Sequence, residues 1–242
     1  MKIIIAPAKQ IKYCVPTTHL TTPVFTNKQK KLKTKLKRMD IPKLHDVMKI
    51  SYKMAEEVYQ YYHQKEAFHP ALHYYSGTVY KQLKLATYQE EEQIYINSHI
   101  RILSAYYGVL APYDAIQRYR LDMKMKIEDM NLYNYWHRVV KTYFKNEDSI
   151  LSLASKEFTD MVEHPNIITV DFVENKGDTL VRNAMYVKQA RGKMLHLVIK
   201  NKITDIEDIK SISFDNYKYN ESLSTKNNLV FYRIPDRSYT RP

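Results

Sequence analysis

Glycine and cysteine are scarce in this chain, and long apolar runs are missing. Its 242 residues suffice for a sizeable core. The sequence contains no P-loop, no G-x-G-x-x-G, no G-x-S-x-G and no H-E-x-x-H motif. The single cysteine, Cys14, cannot form an internal disulfide. No apolar run approaches the roughly 18 residues that cross a bilayer, and the apolar segment near Met1 is too short for a secretory signal. We therefore expect a cytoplasmic protein that does not enter a membrane.

Positive charge is abundant. The chain has 38 Lys and Arg against 26 Asp and Glu, a formal net charge of +12. Such a balance is typical of proteins that bind polyanions, and residues 28–38 carry seven cationic side chains in a predicted surface helix. A codon bias toward A and T, which also enriches Lys, Tyr, Asn and Ile, gives the same composition without any partner. The charge by itself leaves both interpretations open.

The hydrophobic periodicity predicts a mixed α/β protein, with residues 1–242 forming a single domain in which helices surround a mixed sheet. Strands are predicted at 2–6, 71–75, 119–128, 149–154, 167–174, 179–188, 211–219 and 229–234. Helices are predicted at 28–38, 42–58, 87–107, where residues 87–90 have the spacing of a capping box, 132–143 and 192–202. No internal repeat or change of composition divides the chain.

Residues 99–123 are predicted to form two helices joined by a tight corner. Gly108 suits the left-handed residue that ends the first helix, and Pro112 suits the first turn of the second. Hairpins of this kind can present backbone amides and basic side chains to phosphate. DNA-binding helix–hairpin–helix elements have two glycines around a hydrophobic residue, whereas here only Ala105 accompanies Gly108. An ordinary helical corner therefore remains the alternative interpretation.

Two further patterns are candidate binding sites. Residues 188–193 are predicted to lie where a strand passes into a helix, so that free amides beside Lys188 and Arg191 can hold an anion. His69 and His73 have a spacing that binds metal from one helix face. Pro70 argues against a regular helix there, and no third ligand is near in sequence. We predict no metal site and no cofactor.

Short motifs follow one another over nearly the whole chain. They lie at residues 6–9, 76–80, 103–110, 119–123, 132–136, 153–155, 190–194 and 229–233. In order and spacing this series resembles the YaaA-type peroxide stress resistance proteins, although no single motif is specific to them.

The resemblance implies a cytoplasmic, single-domain α/β protein that helps cells survive hydrogen peroxide by limiting free iron and its damage to DNA. It also implies DNA binding, with distorted or branched duplexes favoured, through a helix–hairpin–helix element and a basic cleft. Position by position, the family pattern assigns nucleic-acid binding to basic and glycine residues. These are Lys9, Arg101, Gly108, Arg120, Lys188, Arg191 and Gly192.

This chain departs from the family pattern at several positions. Ala6 replaces a serine, and Ser-Gly-Thr at 76–78 replaces Lys-Gly-Asp. Ala105 replaces a glycine, and Ala111 replaces an arginine. Since the missing aspartate removes a possible reactive carboxylate, we assign no catalytic residue. The lysine-rich helix at 28–38 lies outside the family signature and is a partial substitute for the lost charge.

Two other functions stay open at this point. The first is an enzyme acting on a nucleic acid or a nucleotide, with Lys9, Tyr80, Arg120, Ser155 and Arg191 lining a cleft. Its weakness is that no general base or nucleophile pair is evident in the sequence. The second is direct chelation of iron by some of the nine histidines, which do not cluster. The oligomeric state is not assigned.

Overall fold

An eight-stranded sheet forms the centre of the structure, a computed structural model that describes residues 1–13, 20–177 and 179–234. Cys14 lies outside the described residues. The strands of the described chain are β1 (Lys2–Ile5), β2 (His69–Pro70), β3 (Ile100–Ser104), β4 (Gly108–Leu110), β5 (Ala115–Ile116), β6 (Lys126–Ile127), β7 (Met130–Asn131), β8 (Ile150–Ser152), β9 (Ile167–Lys176), β10 (Thr179–Val181), β11 (Lys218–Tyr219) and β12 (Asn228–Arg233). Its helices are α1 (Thr26–Lys37), α2 (Ile41–Met48), α3 (Tyr52–His63), α4 (Ala71–Tyr74), α5 (Glu90–His99), α6 (Leu132–Phe144), α7 (Lys156–Thr159), α8 (Ala184–Lys200) and α9 (Ile206–Ile209), with 3-10 turns at Tyr80–Gln82 and Leu85–Thr87.

Strands that follow β1 in sequence are added to the sheet on both sides of it. The order is β11-β12-β9-β8-β1-β3-β4, with β10 also paired to β9, and β3, β1, β8, β9 and β12 run parallel. The chain passes from β1 to β3 on one side and later from β8 to β9 on the other. Connections therefore diverge beyond the carboxyl ends of β1 and β8. In open α/β sheets such a point forms a binding crevice.

The central strands are buried on both faces. Ile3, Ile4 and Ile5 in β1 have no exposed surface, which explains why their sequence is a continuous apolar run. Helix α6 packs Trp136 into the same core, and its indole Nε1 donates a hydrogen bond to the Ala105 carbonyl at 2.8 Å. The predicted mixed α/β fold is confirmed. In the described parts of the chain, no helix is long and apolar enough to cross a membrane.

The predicted helical corner at residues 99–123 is wrong. Helix α5 ends at His99, and β3 and β4 follow as an antiparallel hairpin, so a β-hairpin occupies the place given to the helix–hairpin–helix element. The left-handed conformation expected of Gly108 is present, with φ +80°, but it serves this hairpin. The error has a physical cause. A strand buried on both faces does not alternate, so Ile100 and Leu103 matched a helical spacing by chance.

The predicted strand at 119–128 is also largely wrong. Only β6 is paired there, with β7. The predicted alternation is real, since Leu121 and Met123 are buried, but side chains take the place of a neighbouring strand. The Tyr62 hydroxyl donates to the Arg120 carbonyl at 2.7 Å, and the Met123 amide donates to Glu157 Oε1 at 2.9 Å.

Other boundaries also differ from the prediction, and of the strand expected at 211–219 only Lys218–Tyr219 is present, as β11. Residues 71–74 form the helical turn α4, and Lys49, with φ 50°, separates α2 from α3. The strand expected to reach Lys188 ends at Val181, because the Asn183 side chain caps α8 by accepting from two amides. Residues 188–191 therefore lie inside α8, where amides are bonded within the helix. The anion site predicted on free amides at 188–193 is wrong.

Candidate nucleic-acid interface

A cleft of about 580 Å³ opens where the connections beyond β1 and β8 diverge. Residues 6–10, directly after β1, line one part of it, and Leu153 and Ser155, directly after β8, line another. Residues 77–80, the segment 119–122 and helices α7 and α8 complete the lining. The cleft thus lies at the position that the sheet topology favours for a ligand.

Helix α8 reaches the cleft because Gly192 has no side chain. A β-carbon at this position would overlap the carbonyl oxygen of Val79 and lie 2.8 Å from the Gln82 side chain. The helix therefore packs directly on the turn that contains Tyr80. Lys188 and Arg191, three residues apart, share one helix face and both line the cleft.

Tyr119 anchors the segment that carries Arg120. Its hydroxyl lies 2.7 Å from the Tyr75 hydroxyl and 2.8 Å from Ser104 Oγ, at the carboxyl end of β3. Burial raises the pKa of Tyr119 to about 12, so the phenol stays neutral. Arg120 is thereby attached to the central sheet through a neutral hydrogen-bond chain.

The cleft has an excess of positive charge. Among the described residues, four cationic and two acidic side chains line it. Lys9 forms an ion pair with Asp122 at 2.7 Å, while Glu157 accepts the Met123 amide. The other cations are Arg120, Lys188 and Arg191, and none of them has an ion-pair partner in the part of the chain that the structure describes.

Arg120 and Arg191 each have one buried donor atom without an acceptor. The Nε atoms of Arg120 and Arg191 are buried, and neither has a hydrogen-bond partner within the described chain. Burial lowers the pKa of the Arg191 guanidinium, an effect that the nearby Asp171 carboxylate opposes. An arginine remains charged at neutral pH in either case. A buried donor without an acceptor is costly, and a guanidinium group that lines a cleft and has no ion-pair partner fits an anion as its ligand.

The structure brings most of the predicted site residues together. Lys9, Arg120, Lys188 and Arg191 line the cleft, as do Tyr80 and Ser155 of the alternative interpretation, while Gly192 supports it from behind. Ser155 precedes α7 without forming a side-chain cap, and Tyr80 donates to the Ala6 carbonyl at 2.8 Å.

Two predicted residues lie elsewhere. Arg101 donates to the Tyr143 hydroxyl at 2.6 Å and to the Asn97 carbonyl at 2.8 Å, away from the residues that line the cleft. Gly108 is buried, and a β-carbon there would lie 2.7 Å from the Trp136 ring. Sequence reasoning did not single out Asp122 and Glu157. The motif at 119–123 contained Asp122, but nothing in the sequence pointed to Glu157.

Metal-binding groups are not assembled in the described residues. Within ranges 1–13, 20–177 and 179–234, no three His, Cys, Asp or Glu side chains are placed to hold an ion together. His69 stacks on Tyr74 with ring centroids 4.5 Å apart, and His73 lies against Tyr113.

The topology and the cleft define a mixed α/β protein with a cationic crevice at the switch point of its sheet. The chain belongs to the family described as peroxide stress protein YaaA, whose model matches residues 1–223. This confirms the resemblance drawn from the short motifs and places the chain among peroxide stress proteins.

Full-length relatives support this membership. A UPF0246 protein of Fusobacterium nucleatum is 32% identical over 96% of this chain and 99% of its own length. UPF0246 proteins of Clostridioides difficile and Clostridium beijerinckii are 33% and 34% identical over 96% of this chain, and 100% and 98% of their own lengths are covered.

Proposed function

We propose that this protein binds DNA during peroxide stress, without sequence specificity and with a preference for distorted or branched duplexes, and thereby limits iron-dependent damage. One observation carries the proposal: Arg120, Lys188 and Arg191 line one cleft, and each lacks an acidic partner within the described residues. A guanidinium group matches phosphate oxygens in a bidentate geometry. Contacts to phosphate position a protein on DNA but read no sequence.

The same charge gives a physical link to iron. Cationic side chains that neutralise phosphates release the counterions condensed on the DNA. A ferrous ion held by phosphates is one such counterion, and its release moves the site of radical formation away from the bases. This protection requires no iron ligand on the protein. It also predicts that protection and DNA affinity fall together as salt rises.

The test is fluorescence anisotropy with labelled linear, forked and four-way-junction DNA over a salt series. The informative variant combines Lys188→Gln with Arg191→Gln. We expect its affinity to fall about tenfold or more and its salt slope to fall by about two, because two phosphate contacts are lost.

The matched control combines Lys145→Gln with Lys202→Gln. Lys145 lies before β8, at the opposite edge of the sheet, and Lys202 lies beyond the far end of α8. The same charge is thus removed away from the cleft. Equal losses in the two double variants would show that net charge alone drives binding. No binding by the unaltered protein at about 50 mM salt, where phosphate contacts are strongest, would refute the proposal.

A second candidate is an enzyme that acts on a nucleic acid or a nucleotide. The observation in its favour is that Asp122, Glu157 and Ser155 line the same cleft as the arginines. The Ser155 hydroxyl forms no capping hydrogen bond to α7. These groups supply carboxylates and a hydroxyl for proton transfer. Incubation with DNA, RNA and nucleotides followed by mass spectrometry tests it, and unchanged substrates under all conditions would leave binding as the activity.

A further inference from the structure

The size of the cleft limits what can enter it. Its volume of about 580 Å³ lies within the range of roughly 300–1,000 Å³ that holds one small molecule. A DNA duplex keeps its bases stacked inside, and only its outer backbone can contact a cleft of this size. A single nucleotide that has left the stack can enter as a whole.

The lining has chemistry for each part of a nucleotide. Arg120, Lys188 and Arg191 line the cleft with positive charge for the phosphate, and none of the three has an ion-pair partner in the part of the chain that the structure describes. Val79, Leu121 and Phe158 add apolar surface of the kind on which a base and sugar pack. Enzymes that extract a nucleotide from DNA hold the extruded base against apolar side chains in the same way.

We propose that the cleft receives one unpaired nucleotide of DNA, with its phosphate on Arg120 and Arg191 and its base against the apolar lining. This inference rests on the proposed function and extends it by naming the unit that is bound. It explains how a protein without base readout can prefer a distorted duplex, since a distorted site presents a nucleotide that is already unstacked. A nucleoside monophosphate is the shared chemistry, and DNA is the source that the overall charge of +12 favours.

The first measurement compares a matched duplex with the same duplex carrying a single bulged 2-aminopurine nucleotide. We expect the bulged duplex to bind about tenfold more tightly or better, because its nucleotide need not be unpaired first. The 2-aminopurine fluorescence should change at saturation with protein. Unlabelled deoxyadenosine monophosphate, with inorganic phosphate as its control, should compete for the bulged duplex at high concentration.

The second measurement fills the cleft without removing a cation. Thr78 lines the cleft and its hydroxyl forms no hydrogen bond within the described chain, so Thr78→Trp occupies volume and Thr78→Ser is the matched control. Thr78→Trp should bring the affinity ratio of bulged to matched duplex close to one, because the filled cleft no longer admits the unpaired nucleotide. Thr78→Ser should keep the ratio. If Thr78→Trp does not fold, the fluorescence of the unaltered protein's complex decides.

The outcomes separate the two proposals. Binding of both duplexes with equal affinity and no change in 2-aminopurine fluorescence overturns this inference but leaves DNA binding intact. A ratio that Thr78→Trp does not change places the unpaired nucleotide outside the cleft and also overturns it. Tight binding of the free monophosphate without binding of the bulged duplex makes a free nucleotide the ligand. Absence of binding to any DNA refutes both proposals.

Discussion

Gly192 lies directly against the backbone carbonyl of Val79, and this contact sets the distance between helix α8 and the turn at Tyr80–Gln82. Both elements line the cleft, with Lys188 and Arg191 on the helix and Val79 and Tyr80 beside the turn. Gly192, which the family resemblance assigned to nucleic-acid binding, therefore allows close packing of α8 on this turn. The positions of the cationic side chains depend on it.

Gly192→Ala should destabilise the protein and weaken DNA binding together. Alanine favours a helix over glycine by about 1 kcal/mol, but overlap with a backbone oxygen is relieved only by moving the helix, and overpacking costs about 1–3 kcal/mol. We expect a lower free energy of unfolding in urea and weaker binding in anisotropy. Gln189→Ala, on the same helix, is the control. A more stable Gly192→Ala variant with unchanged affinity would show that the contact tolerates a methyl group.

Asp122→Asn should strengthen DNA binding. Asp122 lines the cleft and pairs with Lys9 at 2.7 Å, so the substitution removes a negative charge and frees a cation for phosphate. The slope of log affinity against log salt concentration should become steeper by about one, the value for one additional phosphate contact. The free energy of unfolding should change little, because the Lys9 side chain is 58% exposed and exposed pairs contribute roughly 0–1 kcal/mol.

The matched control for this effect is Glu91→Gln, which removes a carboxylate paired with Lys202 beyond the far end of α8. It should leave the salt slope unchanged. Weaker binding by Asp122→Asn would mean that the carboxylate itself contacts the ligand, as the enzyme interpretation requires.

Elements that depend on neighbouring residues could be predicted from the sequence, whereas elements that depend on distant partners could not. The helix predicted at 132–143 is present as α6, and the residue just before it, Asn131, caps it by accepting from the Asn134 amide. Strand β3 was mistaken for helix because its burial on both faces is a property of the sheet. Residues 119–122 looked like a strand, but Tyr62 and Glu157, distant in sequence, bond their backbone. No local pattern records such partners.

The candidate site shows the same division. Basic residues were found because charge and motif are visible in the sequence. Their assembly in one cleft depends on the reversal of strand order at β1, which brings residues after β1 and β8 to one edge. Glu157 could not be predicted as part of the site, because no motif contains it and the bond that joins it to the Met123 amide spans 34 positions of the chain.

Tyr119→Phe should destabilise the fold by about 1–3 kcal/mol, the cost of leaving buried hydrogen-bonding groups without a partner. Its hydroxyl bonds the Tyr75 hydroxyl and Ser104 Oγ, beneath the segment that carries Arg120. Urea unfolding measures the effect. Tyr52→Phe is the control, since Tyr52 is 51% exposed, and it should change the free energy of unfolding by less than about 0.5 kcal/mol. Equal effects in the two variants would argue against a structural contribution from the Tyr119 hydroxyl.

Stability should fall as the pH is lowered from about 7 to about 5, and His196 should account for part of the change. Burial lowers the pKa of His196 below 6.5, and the Lys84 and Lys200 charges lower it further, against an opposing effect of Glu92. Burial also raises the pKa of Tyr88, so its phenol keeps its proton and donates to His196 Nδ1 at 2.7 Å. Protonation of Nδ1 would remove this acceptor, so the Tyr88 hydroxyl could keep the contact only by accepting.

The sign follows from proton binding. Between the folded pKa and 6.5, the unfolded chain takes up a proton at position 196 that the folded protein does not, so stability increases with pH across that window. The slope from one proton is at most about 1.4 kcal/mol per pH unit. His196→Asn keeps an acceptor for Tyr88 but does not titrate, so its free energy of unfolding should depend less steeply on pH. Urea unfolding at pH 5, 6 and 7 measures the dependence of this free energy on pH. Identical slopes for His196→Asn and the unaltered protein would assign the acid sensitivity to other groups. His73 would then be the next residue to substitute, because burial also lowers its pKa.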